Sequence, residues 1–520
     1  MKNRIAAFAP WASTGLLLLF TAYHAEYKSA VFFGLLFAIG LVDLLQPWHA
    51  IRRNYPLVGH LRYLFEDLRP GLRQYFFEGD NEELPFSRMQ RSLVYARAKS
   101  EPDERGFGTV KDVYAADGQW LSHSLLPVSV DPRSFRVRVG SDAATAYDMS
   151  VFNVSGMAFG ALSGAAVAAL NRGAAQGGFA QNTGEGGISR YHRQGGDLIW
   201  QIGSAYFGCR TADGRFDASQ FERKARDPQV RMIEIKLSQG AKPGHGGVLP
   251  GSKVTPEIAG AWGVPVGETC VCPAAHDEFR TPEQLLGFVA ELRRLSGGKP
   301  VGIKLCLGSV DEFFSLAKAM VAQGEHPDFI TIDGAEGGTG AAPVEFTDHV
   351  GMPLSDALPL VHATLRGVGL RDRVRLGASG KIISAFDIAR CLAMGADWCN
   401  AARGFMFSLG CIQARACHTD KCPSGVATQD PMRQRGLVLE DKAERVRSYQ
   451  HRTLEVLAEL LGAAGVTQPS AMTANHILCR NASGNVVTLA SRLPAVREGV
   501  LLDSRQSRAD LPEPFRSLWV

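Results

Sequence analysis

The sequence lacks a surplus of charge of either sign. Its 56 lysines and arginines stand against 52 aspartates and glutamates, which leaves a formal net charge of +4 over 520 residues. Proteins that bind nucleic acid concentrate basic residues on one surface. We therefore expect no nucleic-acid partner.

A disulfide framework and low-complexity tracts are also absent. The ten cysteines have no spacing typical of a small secreted domain, and several lie in apolar runs, among them Cys306, Cys391 and Cys399. Such cysteines suit a reducing compartment. The 56 glycines fall in short motifs rather than in repeats, so they point to loops with specific roles.

Two apolar segments open the chain. Residues 5–23 carry no charge and are long enough to span a bilayer, and residues 29–45 are interrupted late by Asp43. Basic residues flank the pair on both sides: Lys2, Arg4, Arg52, Arg53 and Arg62. This pattern predicts a transmembrane helical hairpin over residues 1–50, two spans in the cytoplasmic membrane in contact with membrane lipid, and a catalytic domain that faces the cytoplasm. A signal peptide and a buried pair of soluble helices are the alternatives.

Three further regions follow the apolar segments. Residues 51–147 are predicted to be a juxtamembrane and N-terminal packing segment, with a solvated surface helix over 88–99 and a small sheet, over 107–148, that packs under the main domain. Residues 148–430 form the main domain. Residues 431–520 are predicted to be a helical C-terminal cap, because residues 441–462 have apolar positions at helical spacing.

The main domain alternates short apolar strands with helical stretches, a pattern typical of parallel α/β proteins. Eight strands are predicted: 152–157, 178–182, 198–202, 232–236, 301–305, 329–333, 374–378 and 398–401. Eight such strands predict a (β/α)8 barrel with its active site at their carboxyl ends. An open doubly wound sheet is the alternative, but no G-x-G-x-x-G motif follows the first strand.

Two glycine loops follow the last two strands, and a cysteine cluster comes next. The loops, residues 377–381 and 402–404, are suited to one phosphate group. Cys411, Cys417 and Cys422 then occur with five and four residues between them, a spacing that favours three ligands of an iron–sulfur cluster. Buried structural thiols or disulfides are the alternatives.

Charged residues among the other glycine loops are candidates for catalysis. Glu185 lies within QNTGEGG and is placed for proton transfer, although it would also serve as a turn acid. Lys236, Lys242 and Lys253 surround a glycine-rich loop that suits an anionic substrate better than a solvated face. Another loop residue, His245, is a candidate proton donor. Inside the fifth strand, Lys304 needs a partner, either a cofactor or Asp333.

Six motifs occur together in one order: QNTGEGG, KLSQGAKPGHGG, DGAEGGTGAAP, GASGK, NAARG and CHTDKCPSGVATQ. With them, residues 151–429 resemble the FMN-binding synthase domain of glutamate synthase, and within that family the short stand-alone proteins most of all. The resemblance implies an FMN-linked TIM barrel that condenses ammonia with 2-oxoglutarate and reduces the imine to L-glutamate. It also implies a [3Fe–4S] cluster held by Cys411, Cys417 and Cys422.

The resemblance also implies roles for individual residues. Lys236, Lys242 and Glu185 would be catalytic. The FMN site would be formed by Met157, Gly160, Lys304, Asp333, Gly377, Ser379, Gly380, Lys381, Ala402, Arg403 and Gly404.

The chain departs from the large enzymes of the family in several places. They begin with a glutamine-hydrolysing cysteine, whereas this chain begins Met1–Lys2, so we expect ammonia or another amine to arrive free or from a partner. We also expect the electrons to come from ferredoxin or from an NAD(P)H-oxidising subunit. His245 stands where the large enzymes have a glutamate. This leaves two alternatives: an enzyme for another amine or 2-oxo acid (such as an N-methylglutamate synthase-like protein), or a membrane-tethered electron-transfer subunit.

Overall fold

A computed structural model describes residues 2–82 and 85–519. The chain divides into two compact units, and the boundary between them in the sequence follows Ser87. The N-terminal unit begins with helices Lys2–Tyr23 and Tyr27–Leu45, joined by a tight turn in which Ala25 has a φ of 57°. The rings of Trp11 and Phe37 stack across the helix pair with centroids 4.9 Å apart. The Trp11 indole also donates a 3.0 Å hydrogen bond to the Phe37 carbonyl oxygen, so the two apolar segments form a helical hairpin.

Only one helix in the described part of the chain is long and apolar enough to cross a membrane. It is Tyr27–Leu45, with a mean hydropathy of 1.9, and 11% of it is buried. In the first helix, the apolar segment with described side chains is Ala7–Tyr23, which is shorter. The predicted hairpin of two spans is therefore not supported; one helix has the length and composition of a span.

The helical hairpin is followed by two shorter helices, Ala50–Asn54 and Val58–Leu72, and by a single π-helical turn, Arg73–Phe77. Asp43, which interrupts the second apolar segment, is buried, and its contacts explain the position of helix Val58–Leu72. Its carboxylate lies 2.8 Å from the His60 ring and accepts a hydrogen bond from the Leu57 backbone at 3.1 Å. The one acidic residue of helix Tyr27–Leu45 is thus tied to helix Val58–Leu72.

The second unit contains a closed barrel of eight parallel strands. They are β1 (Phe152–Val154), β2 (Gln181–Asn182), β3 (Leu198–Ile202), β4 (Val230–Lys236), β5 (Val301–Leu305), β6 (Phe329–Asp333), β7 (Arg375–Ser379) and β8 (Trp398–Ala401). The barrel closes where β8 pairs with β1, with Asn400 opposite Asn153. All eight predicted strands are present, so the (β/α)8 prediction is confirmed and the open sheet is excluded.

Helices connect the strands and cover the barrel. Those of the second unit are Arg88–Ala98, Gly164–Gly177, Ala218–Ala225, Pro256–Trp262, Pro282–Leu295, Val310–Gln323, Val344–His349, Leu354–Gly367, Ala385–Ala393, Arg403–Ser408, Pro431–Gln434, Leu439–Ala463 and Phe515–Leu518. Most have the expected local signals. Ser163, for example, caps the start of Gly164–Gly177 by accepting from the Ala166 backbone, and left-handed Gly178 ends it. Because Gly178 ends that helix, β2 starts at Gln181 rather than at the predicted residue 178.

A small antiparallel hairpin closes the amino-terminal end of the barrel. Its strands are Arg136–Val139 and Tyr147–Ser150. One buried cluster joins this hairpin to the first residues of the barrel strands: Val139, Tyr147, Met149, Ala180, Ile199, Met232, Phe329 and Trp398. The predicted small sheet beneath the main domain is therefore present. Two more small sheets are formed by Gln119–Leu121 with Ile477–Arg480 and Val486–Thr488, and by Val248–Leu249 with Cys270–Val271.

Helix Arg88–Ala98 differs from its prediction as a solvated surface helix. Arg91 and Arg97 are buried, and the Arg97 guanidinium pairs with Asp103 at 2.7 Å. The helix packs against Leu439–Ala463, which also packs along Gly164–Gly177. The surface prediction was wrong because Arg91 and Arg97 are buried and Asp103 neutralises the charge of Arg97 inside the unit.

Candidate active site

Side chains alternate between the two faces of a strand, so every second residue of a barrel strand points inward. This alternation places Lys304 of β5 and Asp333 of β6 inside the carboxyl end of the barrel, with Nζ and Oδ2 3.2 Å apart. Burial opposes the charge on Lys304, but Asp333 and then Glu234 outweigh it and raise the pKa of the lysine. The same Asp333 oxygen accepts a 3.0 Å hydrogen bond from the Gly240 backbone. A cofactor and Asp333 were the two predicted partners of Lys304, and the structure shows the ion pair with Asp333.

A second ion pair lies at the mouth of the barrel. The Lys236 ammonium, at the end of β4, is 2.6 Å from Oε1 of Glu185, in the loop after β2. Burial favours the neutral acid, yet the charge of Lys236, followed by that of Lys242, holds the pKa of Glu185 below its usual value. Burial and the nearby Lys236 lower the pKa of Lys242. The three predicted catalytic residues are thus together, with two cations around one carboxylate.

Lys236 and Glu185 border a pocket of about 300 Å³, a volume that includes open solvent at its mouth. Its walls come from the loops after β2, β3 and β4 and from a later segment: Glu185, Ser204, Lys236, Leu237, Ser238, Gln239, Gly244, His245, Gly246, Gly247, Pro273 and Ala274. The His245 Nδ1 lies 2.7 Å from the Gly246 carbonyl oxygen, and its ring meets Phe346 edge-on. Glycine is required beside the acid, because a Cβ on Gly203 would lie 2.5 Å from Glu185 Oε2.

Glu234 is a buried carboxylate that the sequence analysis missed. It lies in β4 two residues before Lys236, so it also points into the barrel. It accepts hydrogen bonds from Asn182 Nδ2 at 2.7 Å, Gln201 Nε2 at 2.7 Å and Thr331 Oγ1 at 2.8 Å. The strand sequence IEIK contained the signal, since its alternation places both charged residues on the inner face.

His276 and Cys272 were also missed, and both lie beside the Lys236–Glu185 pair. The His276 ring is 2.9 Å from the Lys236 carbonyl oxygen, and burial lowers the pKa of this histidine to about 4. Burial, and then the charge of Glu185, raise the pKa of Cys272 to about 12. Both side chains are therefore neutral near pH 7 and leave the charge of the site to the lysines and Glu185.

The ends of β7 and β8 contain several of the predicted cofactor residues. Ser379 Oγ lies 3.4 Å from Ser155 Oγ, and the backbone then turns sharply through Gly380 and Lys381, with φ values of 146° and 47°. Arg403 donates a 2.8 Å hydrogen bond to the Glu336 carbonyl oxygen. Burial lowers the pKa of Arg403 to about 10, against the opposing effect of nearby carboxylates. Both loops therefore contribute to one polar rim.

Three predicted cofactor glycines pack against other parts of the protein. A Cβ on Gly160 would meet the Trp262 ring at 3.1 Å, one on Gly377 the Trp398 ring at 2.7 Å, and one on Gly404 the Tyr449 hydroxyl at 2.6 Å. Each glycine thus allows a close approach to a large aromatic side chain. The other two predicted contacts are Met157, buried after β1, and Ala402, which directly precedes helix Arg403–Ser408.

The barrel interior contains a polar atom that fits a bound polar group. Asn400 of β8 is buried, and its Oδ1 has no hydrogen-bond partner among residues 2–82 and 85–519. Buried polar atoms are almost always paired in folded proteins. Together with Lys304, Ser379 and the Gly380 turn, this unpaired atom fits a flavin with a polar ring edge and a phosphate.

The cysteine loop, residues 411–423, is held by side chains from distant segments. The Tyr95 hydroxyl donates to the Cys411 carbonyl oxygen at 2.6 Å, and Lys253 Nζ donates to the Cys417 carbonyl oxygen at 3.0 Å. Asp420, with a φ of 63°, accepts a 2.8 Å hydrogen bond from the Gln429 backbone. The loop conformation is therefore fixed from outside by at least three contacts.

The three thiols lie within electrostatic reach of one another. Burial raises the pKa of Cys411 to about 12, and the charges of Cys417 and Cys422 act in the same direction. Burial also opposes ionisation of Cys422, but hydrogen bonds from Ser424 and from backbone N–H groups outweigh it and lower the pKa of that thiol. Among the described residues, no group of three or more His, Cys, Asp or Glu side chains is arranged so that it could hold a metal ion. The [3Fe–4S] cluster therefore stays a prediction, which rests on the thiol chemistry and the sequence spacing of Cys411, Cys417 and Cys422.

Comparison with known proteins identifies the family. Residues 136–467, more than half of the chain, match the family model described as the conserved region in glutamate synthase. The chain belongs to the glutamate synthase family. It is accordingly an FMN-dependent oxidoreductase of the glutamate synthase type, and the barrel of the second unit is the domain that the family model covers.

Several relatives within the glutamate synthase family are similar to this chain. The glutamate synthase large subunit-like protein YerD of Bacillus subtilis is 40% identical over 494 residues, which cover 87% of this chain and 94% of that protein. The archaeal-type glutamate synthase [NADPH] of Thermotoga sp. is 35% identical over 328 residues, 62% of this chain and 61% of the relative. The archaeal glutamate synthase [NADPH] of Methanocaldococcus jannaschii is 34% identical over 325 residues, 62% and 60% of the two chains.

Proposed function

We propose that this protein catalyses the reductive amination of 2-oxoglutarate with ammonia to give L-glutamate, or of a related 2-oxo acid to give the corresponding amino acid. The observation that carries the proposal is the arrangement of Lys236, Glu185 and Lys242 at a pocket in the barrel mouth. Two ammonium groups suit a substrate with two carboxylates, and the ionised Glu185 provides a proton acceptor beside them.

The two lysines have different tasks in this proposal. Lys236, paired with Glu185 at 2.6 Å, binds a substrate carboxylate. Lys242 has a lowered pKa because it is buried near Lys236, so it releases a proton from Nζ more readily than an exposed lysine. Glu185 Oε1 accepts a proton from the incoming ammonium ion. Lys242 is buried, and the side chains of Lys236 and Glu185 are only 11% and 19% exposed, so the access of water to the imine is limited.

The cofactors occupy the polar rim and the cysteine loop. Ser379, Gly380, Lys381 and Arg403 would hold the FMN phosphate, and Lys304 and Asn400 would face the polar edge of its ring. Bound FMN supplies the redox chemistry, and the protein orients it. A [3Fe–4S] cluster would be held by Cys411, Cys417 and Cys422. Its electrons would come from ferredoxin or from an NAD(P)H-oxidising partner, and ammonia would come from solution or from a partner.

The N-terminal unit would attach the enzyme to the cytoplasmic membrane. Helix Tyr27–Leu45 has the length of a span, and the preceding helix packs along it. Arg52 and Arg53 follow this helix after a short segment, and such a basic flank supports the proposal that this side and the catalytic unit face the cytoplasm.

Turnover under anaerobic conditions tests the proposal. The full chain, purified with its cofactors, is incubated with reduced ferredoxin or dithionite, ammonia and a panel of 2-oxo acids, and products are identified by mass spectrometry. We expect L-glutamate from 2-oxoglutarate, and a loss of at least about 100-fold in kcat/KM for Lys236→Met. Lys111→Met, which replaces an exposed lysine, serves as the matched control.

Other products would overturn the proposal in distinguishable ways. If methylamine but not ammonia is incorporated, the protein is an N-methylglutamate synthase-like enzyme. If no 2-oxo acid is aminated while the reduced protein still passes electrons to an acceptor, it is an electron-transfer subunit.

A further inference from the structure

Helix Val58–Leu72 carries an apolar stripe along one face. Its members are Leu61, Leu64, Phe65, Leu68 and Leu72. They recur at positions i, i+3, i+4, i+7 and i+11, the spacing that aligns side chains on one side of an α-helix. Tyr75 and Phe76 in the following π-helical turn extend the stripe.

The stripe is exposed although it is apolar. Its five helical members are between 40% and 61% exposed, and Tyr75 and Phe76 more than half. The contacts of this helix within the N-terminal unit involve its opposite side: Gly59 touches Arg52, His60 binds Asp43, and the Tyr63 ring receives the Arg52 guanidinium at 4.7 Å. Contiguous exposed apolar surface of this kind marks an interaction site.

Arginines follow one edge of the stripe. Arg62, Arg69 and Arg73 are exposed and are spaced by seven and four residues, so they share one side of the helix. Residues 46–77 contain five arginines and two carboxylates. One of those carboxylates, Glu66, pairs with Arg62 across one helical turn at 2.9 Å. The edge of the stripe is therefore positively charged.

We propose that residues 58–77 lie in the surface of an anionic phospholipid bilayer, with the apolar stripe at the acyl boundary and the arginines among the phosphate groups. The inference rests on the proposed membrane attachment, because Tyr27–Leu45 would deliver this helix to the bilayer surface through the Asp43–His60 contact. An apolar face, an aromatic end and long basic side chains at the edge are the features of helices that bind in the membrane interface. Anionic lipid matches the sign of the arginines.

Hydrogen–deuterium exchange of the full-length protein in lipid nanodiscs tests the proposal. One set of nanodiscs contains phosphatidylcholine alone, and a second contains about one third phosphatidylglycerol. We expect the backbone amides of residues 58–77 to exchange at least about tenfold more slowly in the anionic discs, because bilayer contact stabilises the helix against opening. Exchange in the barrel strands should be the same in both sets.

Charge variants identify the contact. The triple variant Arg62→Gln, Arg69→Gln, Arg73→Gln should remove the protection, and since all three arginines are exposed, it should leave the fold intact. The matched control removes three exposed charges from the second unit: Arg133→Gln, Arg215→Gln, Arg505→Gln. This control should retain full protection of residues 58–77.

Flotation of the same protein with vesicles separates the two membrane proposals. Flotation with both lipid compositions and protection of 58–77 only in anionic discs supports both. Flotation without that protection overturns the surface helix and leaves the membrane attachment standing. Equal protection in both disc types also overturns it, because the stripe is then covered by protein. Absence of flotation with any vesicle overturns both.

Discussion

Lys253 Nζ donates a 3.0 Å hydrogen bond to the carbonyl oxygen of Cys417, although the two residues are 164 positions apart. The lysine is buried and also lies 3.8 Å from Asp420 Oδ1 in the same loop. It follows the glycine-rich segment that contains Lys242. One side chain therefore connects the loop of the proposed substrate site to the loop of the proposed cluster.

Removal of this lysine should disturb the cysteine loop selectively. We expect Lys253→Met to lower the iron content per chain at least about fivefold after anaerobic reconstitution, because the Cys417 carbonyl loses a charge-assisted hydrogen bond. FMN content should not change. Iron analysis and electron paramagnetic resonance measure the effect, and Lys421→Met, at an exposed lysine in the same loop, is the control. Equal iron in both variants would show that Lys253 does not position the loop.

Acid should weaken the contribution of Glu185 to stability. The pKa of Glu185 in the folded protein lies below its ordinary value of 4.5 because the lysine charges outweigh burial. The group therefore stabilises the fold fully above about pH 4.5, and this contribution is lost as the pH falls through the lower folded pKa. We expect the difference in unfolding free energy between wild type and Glu185→Gln to be constant from pH 7 to 5 and to shrink below pH 4.5. Urea unfolding of apoprotein measures it; a difference that grows in acid would contradict the assignment.

The buried pair Lys304–Asp333 should show strong coupling. Lys304→Met leaves the Asp333 carboxylate buried without its cation, which we expect to cost about 3–5 kcal/mol of unfolding free energy. Additional replacement of the acid, in Lys304→Met with Asp333→Asn, should recover part of that loss. A double-mutant cycle from denaturant unfolding of apoprotein gives the coupling energy. Additive effects of the two substitutions would show that the 3.2 Å contact has no energetic role.

The glycine-rich loop depends on one close backbone approach. A Cβ on Gly240 would lie 1.8 Å from the Gly334 carbonyl oxygen, whereas one on Gly260 would have no neighbour within 4 Å. We expect Gly240→Ala to destabilise the protein by about 1–3 kcal/mol and to reduce FMN binding, because the loop must move away from Asp333. Gly260→Ala in helix Pro256–Trp262 should be neutral or stabilising by up to about 1 kcal/mol. Thermal unfolding and flavin titration test both, and similar losses in the two variants would contradict this explanation.

The sequence predicted the barrel because its signals are local and repeated. Each strand is a short apolar run that ends in a glycine or polar loop, as in β6 and its DGAEGG continuation, and eight such units leave few alternative folds. The pairing of Lys236 with Glu185 was harder to predict, since it depends on the register of β2 and β4 across an intervening strand. Both residues nevertheless stood out as charges at strand ends.

Other features depend on contacts between distant residues. Gly160 and Gly404 lie in motifs that also surround the site, yet they serve to accommodate Trp262 and Tyr449. The alternation in β4 places Glu234 on the inner face, but its three hydrogen-bond donors come from other strands and are known only from the structure. Arg97 of helix Arg88–Ala98 is buried and has its charged partner, Asp103, outside the helix, which no helical periodicity can show.

The hairpin of Arg136–Val139 and Tyr147–Ser150 closes the amino-terminal end of the barrel, so the barrel is open at its carboxyl end alone. Because Trp398 and Phe329 pack with Tyr147 and Met149 there, no passage runs through the strands from end to end. In the proposed reaction, the substrates and the product would therefore use the same opening, one after another. The exchange of substrate and product at that opening would then limit the rate of turnover, and a protein that docks over the opening would slow this exchange.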